Sequence, residues 1–269
     1  MRAGAATERL SALKREVAAI EGTRIALEDR RSLPLGVPGI DAALGGGLAF
    51  GAAHELEPAG PVHLGATFGF ALALAGGVQR TRPAVTGPAD DVLWIETSFA
   101  TAETGRLHGP GLDAFGLSLR RVLIVRVPRP IDVLWVLEEA LGCRGIAAAI
   151  AVLTQNLDLT ATRRLSLAAR DGGGLGLLVR RPSPHPSAAL TRWRIAAAPS
   201  RPDAFGGLGP AAFDLTLNKN RHGPCGRWTV LWDHYDGAFL DPVSVGVAQA
   251  APDRSDRAFR RASARSRAG

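Results

Sequence analysis

Lysine and cysteine are both scarce in this sequence, and long apolar runs are missing. Cys143 and Cys225 are the only cysteines, too few for a disulfide framework, and no repeated metal-ligand spacing surrounds them. No stretch is apolar for long enough to span a membrane, and the first residues do not combine a basic start with an apolar core. We therefore expect a soluble cytoplasmic protein without membrane contact, bound metal or cofactor.

Positive charge in this chain is carried almost entirely by arginine. Lysine occurs only at Lys14 and Lys219, and the formal net charge is +7. Such a charge favours a polyanion or an acidic protein surface as partner. Arginine suits phosphate contacts through its planar fork, but a biased genome would also explain the excess. Because many of the arginines lie in the last sixteen residues, the folded part is closer to neutral.

The two ends of the chain differ from its middle. Residues 5–21 carry apolar side chains at spacings of three and four between charged ones, which predicts an amphipathic helix. Its apolar stripe would pack on its own domain or against another protein. We therefore divide the chain into an N-terminal helix and linker (1–32), a core domain (33–240) and a disordered basic tail (241–269).

Strand-like runs alternate with helical patterns in the core, which predicts an α/β fold with a mostly parallel sheet flanked by helices. The predicted helices are Pro38–Leu44, Thr67–Gln79, Ile131–Cys143 and Leu159–Arg170. The first five predicted strands are Ala52–Glu57, Val92–Glu96, Val122–Val127, Ile146–Leu153 and Leu175–Val179. After a proline-rich break, three further strands are expected to close one edge of the sheet, with an antiparallel arrangement as one option: Leu190–Ala197, Phe213–Leu217 and Trp228–Trp232.

A segment between the first predicted strand and the next helix has the spacing of a nucleotide-binding phosphate loop. Gly60 and Gly65 are followed by Thr67, but Ala66 stands where such a loop has lysine. Backbone N–H groups hold the phosphates in a working loop, while the lysine neutralises the terminal oxygens and the hydroxyl ligates magnesium. Losing the lysine should therefore impair hydrolysis more than the fold. The alternative is a plain strand-to-helix turn with no ligand.

A nucleotide hydrolase also needs a magnesium-binding acid at the end of a core strand. The strand Ile146–Leu153 continues into Thr154 and Gln155, where no carboxylate is present. Asp158 comes later and is better explained as the N-cap of the next helix. Glu96 is the only acid placed to activate a water, and it can equally lie at a solvated strand edge.

Several motifs, taken in order along the chain, resemble the RecA family. The segment from Leu35 to Gly51 is similar to the entry that precedes the RecA phosphate loop, and Gly60 to Thr67 is similar to the loop itself. Lys219 and Arg221 stand in a segment that resembles the RecA Lys-Asn-Lys turn, which faces the nucleotide of the neighbouring subunit in filaments. The resemblance implies that Lys219 and Arg221 contact another subunit or another partner.

Four further segments resemble, more specifically, the ImuA family of RecA-like proteins: residues 33–41, 158–169, 187–193 and 226–228. The resemblance implies an accessory or scaffold role in SOS-induced, error-prone translesion synthesis, beside ImuB and an error-prone C-family DNA polymerase. RecA, DNA and further copies of the chain are additional expected partners. With Ala66 in the loop, we expect no ATP hydrolysis. A DNA-dependent ATPase or recombinase, and a non-specific single-strand DNA-binding module, are the alternatives.

Basic and aromatic side chains near the proline-rich break are the candidates for DNA contact, because the corresponding loops of RecA proteins lie toward DNA. They are Arg163, Arg164, Arg180, Arg181, Arg192 and Trp193. Arginine contacts to phosphates would be sensitive to salt, and an accessible Trp193 could stack on a base. The alternative follows from the alternation of Arg192, Trp193 and Arg194 along a strand, which would turn Trp193 into the core.

Overall fold

The computed structural model describes residues 31–81, 91–200, 202, 207 and 209–242. The predicted amphipathic helix at 5–21 and the predicted tail from residue 243 onward lie outside the described residues. The described residues build a nine-stranded sheet with helices on both faces and a separate two-stranded ribbon. The predicted α/β class, with a mostly parallel sheet flanked by helices, is therefore confirmed.

The strands are β1 (Ser32–Leu33), β2 (Leu48–Ala49), β3 (Ala52–Pro58), β4 (Asp91–Thr97), β5 (Val122–Val127), β6 (Ile146–Leu153), β7 (Leu175–Arg180), β8 (Thr191–Ala197), β9 (Ala211–Asn220), β10 (Gly226–Asp233) and β11 (Ala238–Leu240). The helices are α1 (Pro38–Leu44), α2 (Leu64–Thr81), α3 (Ser98–Thr104), α4 (Gly109–Ala114), α5 (Pro130–Gly142) and α6 (Leu159–Gly172). All eight predicted strands and all four predicted helices are present; α3, α4, β11 and the β1–β2 ribbon were not predicted.

The order of strands across the large sheet is β11-β10-β9-β8-β3-β7-β6-β4-β5. The block from β8 to β5 is parallel throughout, and β9, β10 and β11 extend it by antiparallel pairing. The option of antiparallel pairing is therefore correct for β9 and β10, and β8 joins the two parts of the sheet, because it is antiparallel to β9 and parallel to β3. The strand order places β3 in the middle of the sheet, between β7 and β8.

The sheet separates two hydrophobic cores. α2 covers one face, where its Phe70 packs with Trp193 and Phe213. α5 and α6 cover the other face with side chains such as Leu137 and Leu165. Burial on both sides explains why β6 consists of small and apolar residues throughout. It also explains α2, which is long and apolar enough to cross a membrane by composition but is mostly buried inside the fold.

Side-chain caps fix the starts of α3 and α6, the helices that follow β4 and β6. The Asp158 carboxylate accepts a hydrogen bond of 2.6 Å from the Ala161 N–H, as the sequence predicted for the start of α6. The Thr97 hydroxyl accepts one of 3.0 Å from the Ala100 N–H at the start of α3. Asp158 is thus committed to capping α6 and lies five residues beyond the end of β6, where a hydrolase would require an acid for magnesium.

Candidate functional site

The candidate phosphate loop is a tight turn rather than an open cradle. After β3 ends, Gly60 is extended and Pro61–His63 forms a single 3₁₀ turn that runs directly into α2. The His63 N–H donates to the Gly60 carbonyl at 2.9 Å, and the Leu64 N–H donates to the Pro61 carbonyl. Pro61 has no N–H at all. Two amides of the turn are therefore bonded within it, and Pro61 supplies none.

The residues at the lysine and magnesium positions lie on the first turn of α2. Thr67 is fully buried, and its hydroxyl donates to the His63 carbonyl at 3.0 Å. Ala66 is partly buried and packs against the larger core. Gly65 is exposed, and a methyl group added to it would meet no atom within 4 Å. In this conformation neither a cation nor a free hydroxyl is presented by Gly60, Gly65, Ala66 and Thr67.

A cleft of about 480 Å³ nevertheless adjoins this turn at the carboxyl ends of β3, β6 and β7. This edge of a parallel sheet is where α/β proteins bind ligands. The lining is largely apolar, and its polar members include Glu103, Thr154 and two consecutive arginines, Arg180 and Arg181. Arg181 is exposed, whereas Arg180 is 2% exposed. The cleft therefore lies at the usual ligand-binding edge of a parallel sheet, beside a turn with Ala66 at the lysine position.

Arg180 is held by a buried ion-pair cluster behind the cleft. Its Nη1 donates to Glu55 Oε1 at 2.7 Å, and Arg192 Nε donates to Glu55 Oε2 at 2.6 Å. Arg192 also lies 3.5 Å from Glu57 Oε1 and donates to the carbonyls of Ser183 and His185. The cluster forms because Glu55 and Glu57 share one face of β3, while β7 and β8 on either side each bring an arginine.

Electrostatics differ between the two glutamates of this cluster. Burial opposes ionisation of Glu55, but hydrogen bonds from Arg192 and Ser187 and the charge of Arg180 outweigh it, so the pKa of Glu55 is lowered. The pKa of Glu57 is raised, chiefly by burial. Among the described residues, Glu57 Oε1 and Arg180 Nε and Nη2 are buried without a hydrogen-bond partner. The cluster therefore carries two arginines for one fully satisfied carboxylate.

Glu96, the acid considered for water activation, is not at a solvated edge. It is 3% exposed, accepts a hydrogen bond of 2.9 Å from Trp94 Nε1, and accepts another of 2.8 Å from Arg126 Nε. Both of its oxygens are thus occupied, and it does not line the cleft. Within the described part of the chain, no group of three or more His, Cys, Asp or Glu side chains is placed to hold a metal ion.

The candidates for DNA contact do not form one surface. Trp193 is buried in the core with its indole N–H bonded to the Thr191 hydroxyl, so it cannot stack on a base in this conformation. Arg180 and Arg192 belong to the Glu55 cluster, and Arg164 pairs with Glu138 on α5. The two remaining candidates, Arg163 and Arg181, are exposed and lie at opposite ends of the parallel sheet.

The two residues expected to contact a partner have different surroundings. Lys219 Nζ donates to the Ser187 carbonyl at 2.6 Å, and burial followed by the charge of Arg221 lowers the pKa of Lys219. Arg221 is exposed and lies at a groove beside Arg163 and Arg170. Lys219 therefore supports the backbone before β8, whereas Arg221 is presented outward.

Sequence reasoning missed the ion-pair cluster around Glu55. The available signal was a pair of glutamates, two residues apart, in a strand whose other residues are apolar except for His54. Two carboxylates on one face of a buried strand require counter-charges. Only the strand order shows that Arg180 and Arg192 provide them.

Comparison with known proteins identifies relatives of this chain in Caulobacter vibrioides. The chain is 37% identical over 209 residues, covering 73% of this chain and 81% of the relative, to Protein ImuA of Caulobacter vibrioides strain NA1000 / CB15N. The same identity and coverage are found with Protein ImuA of Caulobacter vibrioides strain ATCC 19089 / CIP 103742 / CB 15. No family model matches the chain.

Proposed function

The chain belongs to the ImuA family, and from that premise we propose that it is a RecA-like accessory protein of damage-induced mutagenesis that does not hydrolyse ATP. One observation carries the proposal: the segment at the phosphate-loop position is a closed turn with Ala66 at the lysine position. Binding the terminal phosphates would require opening that turn and supplying a cation. Stabilising charge on the transferred phosphoryl group is a large part of catalysis in such enzymes.

A phosphate-release assay with ATP and magnesium, with and without single-stranded DNA, tests this proposal. We expect the native chain to release no more phosphate than buffer does. Ala66→Lys should stay inactive, because the amides of His63 and Leu64 remain bonded within the turn and no carboxylate stands directly after β6, where Thr154 and Gln155 follow. Turnover by the native protein that Thr67→Val abolishes would show that the chain is a DNA-dependent ATPase instead. The valine variant is matched in shape to the buried threonine.

The partners we propose are ImuB and, through it, an error-prone C-family DNA polymerase in the SOS response. A RecA-like fold without the lysine of the phosphate loop is consistent with a protein that acts by binding other proteins. Co-purification with ImuB tests this part directly. The full chain should retain ImuB, and versions lacking residues 1–22 or 252–269 show whether either end makes the contact. If both truncated versions retain ImuB equally, the contact lies on residues 23–251, and if the full chain fails to retain it, the scaffold proposal is wrong.

A further inference from the structure

A basic groove lies near the start of β3, at the end of the strand that is opposite the cleft. Its floor is the start of β3 at Gly51, Ala52 and Ala53, and its volume is about 520 Å³. Arg163 and Arg170 of α6 line one side, and Arg221, after β9, lines another. Because β3 has seven residues, the groove and the cleft are roughly 20 Å apart.

One face of α6 lines the basic groove. Ser166, Leu167 and Arg170 lie three, four and seven residues after Arg163, so all four lie on one face of the helix. Seven residues of helix separate the two arginines by about 10 Å along the axis. Stacked nucleotides rise about 3.4 Å each along a strand, so this distance corresponds to about three nucleotides.

Positive charge in the basic groove is not neutralised by neighbouring carboxylates. Its lining contains no Asp or Glu, and the guanidinium groups of Arg163, Arg170 and Arg221 have no ion-pair partner among residues that the structure describes. Arg164, one residue from Arg163, pairs with Glu138 and shows the contrast. Lys219 adds a further positive charge close to Arg221. The groove is therefore an unpaired cationic surface on a largely neutral fold.

Apolar side chains stand beside these arginines. Leu167 is 56% exposed, and Leu190 lines the groove from the segment before β8. A strand of nucleic acid offers both phosphates for the guanidinium forks and base faces for apolar side chains. A purely acidic segment such as polyglutamate would satisfy the charges but would not use the exposed leucine.

We propose that the basic groove binds the phosphodiester backbone of single-stranded nucleic acid through Arg163, Arg170 and Arg221, with a base against Leu167. We expect the contact not to depend on base sequence, because arginine contacts to phosphates carry no sequence information. This goes beyond the scaffold role, which requires no direct contact with nucleic acid. It also moves the interface away from Arg180, Arg192 and Trp193.

Fluorescence anisotropy of a labelled thymidylate 20-mer, titrated with the full chain at several NaCl concentrations, tests the proposal. The groove variant is Arg163→Gln, Arg170→Gln and Arg221→Gln combined. We expect it to bind on the order of tenfold more weakly, and to lower the magnitude of the slope of log K against log salt by about 2, since each lost phosphate contact contributes about 0.7. The corresponding triple lysine variant should keep most of the affinity, because it keeps the charges.

A matched control removes the same charge elsewhere. Arg106, Arg120 and Arg227 are exposed and do not line the basic groove, and their combined glutamine variant should bind like the native chain. All variants keep the C-terminal arginines, so the contribution of that segment is the same in each. Thermal melts verify that the variants are folded.

Three results would overturn the proposal. The first is equal affinity of the groove variant and the native chain, and the second is an equal loss in the groove and control variants. The third is competition by polyglutamate of equal charge as effective as by unlabelled thymidylate, which would assign the groove to acidic peptides. ATP turnover and ImuB co-purification are measured separately, so failure here leaves the scaffold proposal standing and the reverse also holds.

Discussion

At the scale of single residues, the main feature is the charge cluster in the centre of the sheet. Glu55 is fully buried and bonded to Arg180 and Arg192. Removing one partner of such a buried pair is costly because the other charges stay in a low-dielectric interior without compensation. Glu55 is the carboxylate that is hydrogen-bonded to both arginines, so its loss would destabilise the contacts that join β3 to β7 and β8.

We therefore expect Glu55→Gln to lower the free energy of unfolding by about 3–5 kcal/mol, measured by urea denaturation at neutral pH. Glu139→Gln, at an exposed position, is the control and should change little. The pKa of Glu55 is lowered in the fold, so its contribution is present above the unfolded value of about 4.5 and is lost as the pH falls below it. A Glu55→Gln protein as stable as the native chain would show that the cluster contributes nothing to stability.

His54 illustrates the same point with a neutral side chain. It is fully buried, its Nε2 lies 2.9 Å from the Ala49 carbonyl, and its Nδ1 lies 2.8 Å from the Thr191 hydroxyl, which also accepts from Trp193. Burial lowers the pKa of His54 to about 4. The residue is thus a neutral link between β3 and β8, and not a ligand or a base.

At the scale of elements, α2 depends on close contact with the segment that follows α4. A methyl group on Gly76 would lie 2.1 Å from the Phe115 carbonyl oxygen, and one on Gly69 would lie 2.9 Å from the Phe115 ring. The helix can therefore approach this segment only because both positions lack a side chain. Glycine is unfavourable inside helices, so its presence here reflects packing.

We expect Gly76→Ala to lower the free energy of unfolding by about 1–3 kcal/mol, since the backbone must shift to admit the methyl group. The control on the same helix is Gly65→Ala, where the added methyl group meets nothing within 4 Å. That variant should be as stable as the native chain or slightly more stable, because alanine favours helices. Thermal or urea unfolding of both variants compares them directly, and equal stability would disprove the contact.

At the scale of the whole molecule, β5 is an open sheet edge with apolar side chains. It pairs only with β4 among the strands described, and Leu123 and Ile124 are 51% and 39% exposed. On the adjacent helix α5, Ile131 and Trp135 are also exposed. Edges of this kind are templates for association, and natural proteins commonly protect them with charge. We expect this edge to be the part of the described surface most prone to self-association.

Leu123→Lys should therefore raise the protein concentration at which oligomers appear in light scattering after size exclusion. The free energy of unfolding should change little, because the side chain is half exposed. Leu119→Lys, at an exposed position outside the strand, is the control and should leave the oligomer distribution unchanged. Unaltered association of the Leu123 variant would place the contact on another surface.

The sequence alone determined the elements and the missing lysine. Periods of two and 3.6 residues depend on neighbouring positions, and so the strands and main helices were predictable together with the Asp158 cap and Ala66. The helix α3 was missed because seven residues give little periodicity, whereas α1 of the same length begins with Pro38 and ends before Gly45, which mark its ends in the sequence.

Only the tertiary structure decided what the charged residues do. Arg180, Arg192 and Trp193 have the local pattern of a nucleic-acid surface, yet strands distant in sequence turn them toward Glu55 and the core. The sheet order also brings Arg163, Arg170 and Arg221 to one groove, although up to 58 positions separate them in the chain. Periodicity is a local property and partner choice is not, because the neighbours of a side chain in a sheet come from wherever the chain returns.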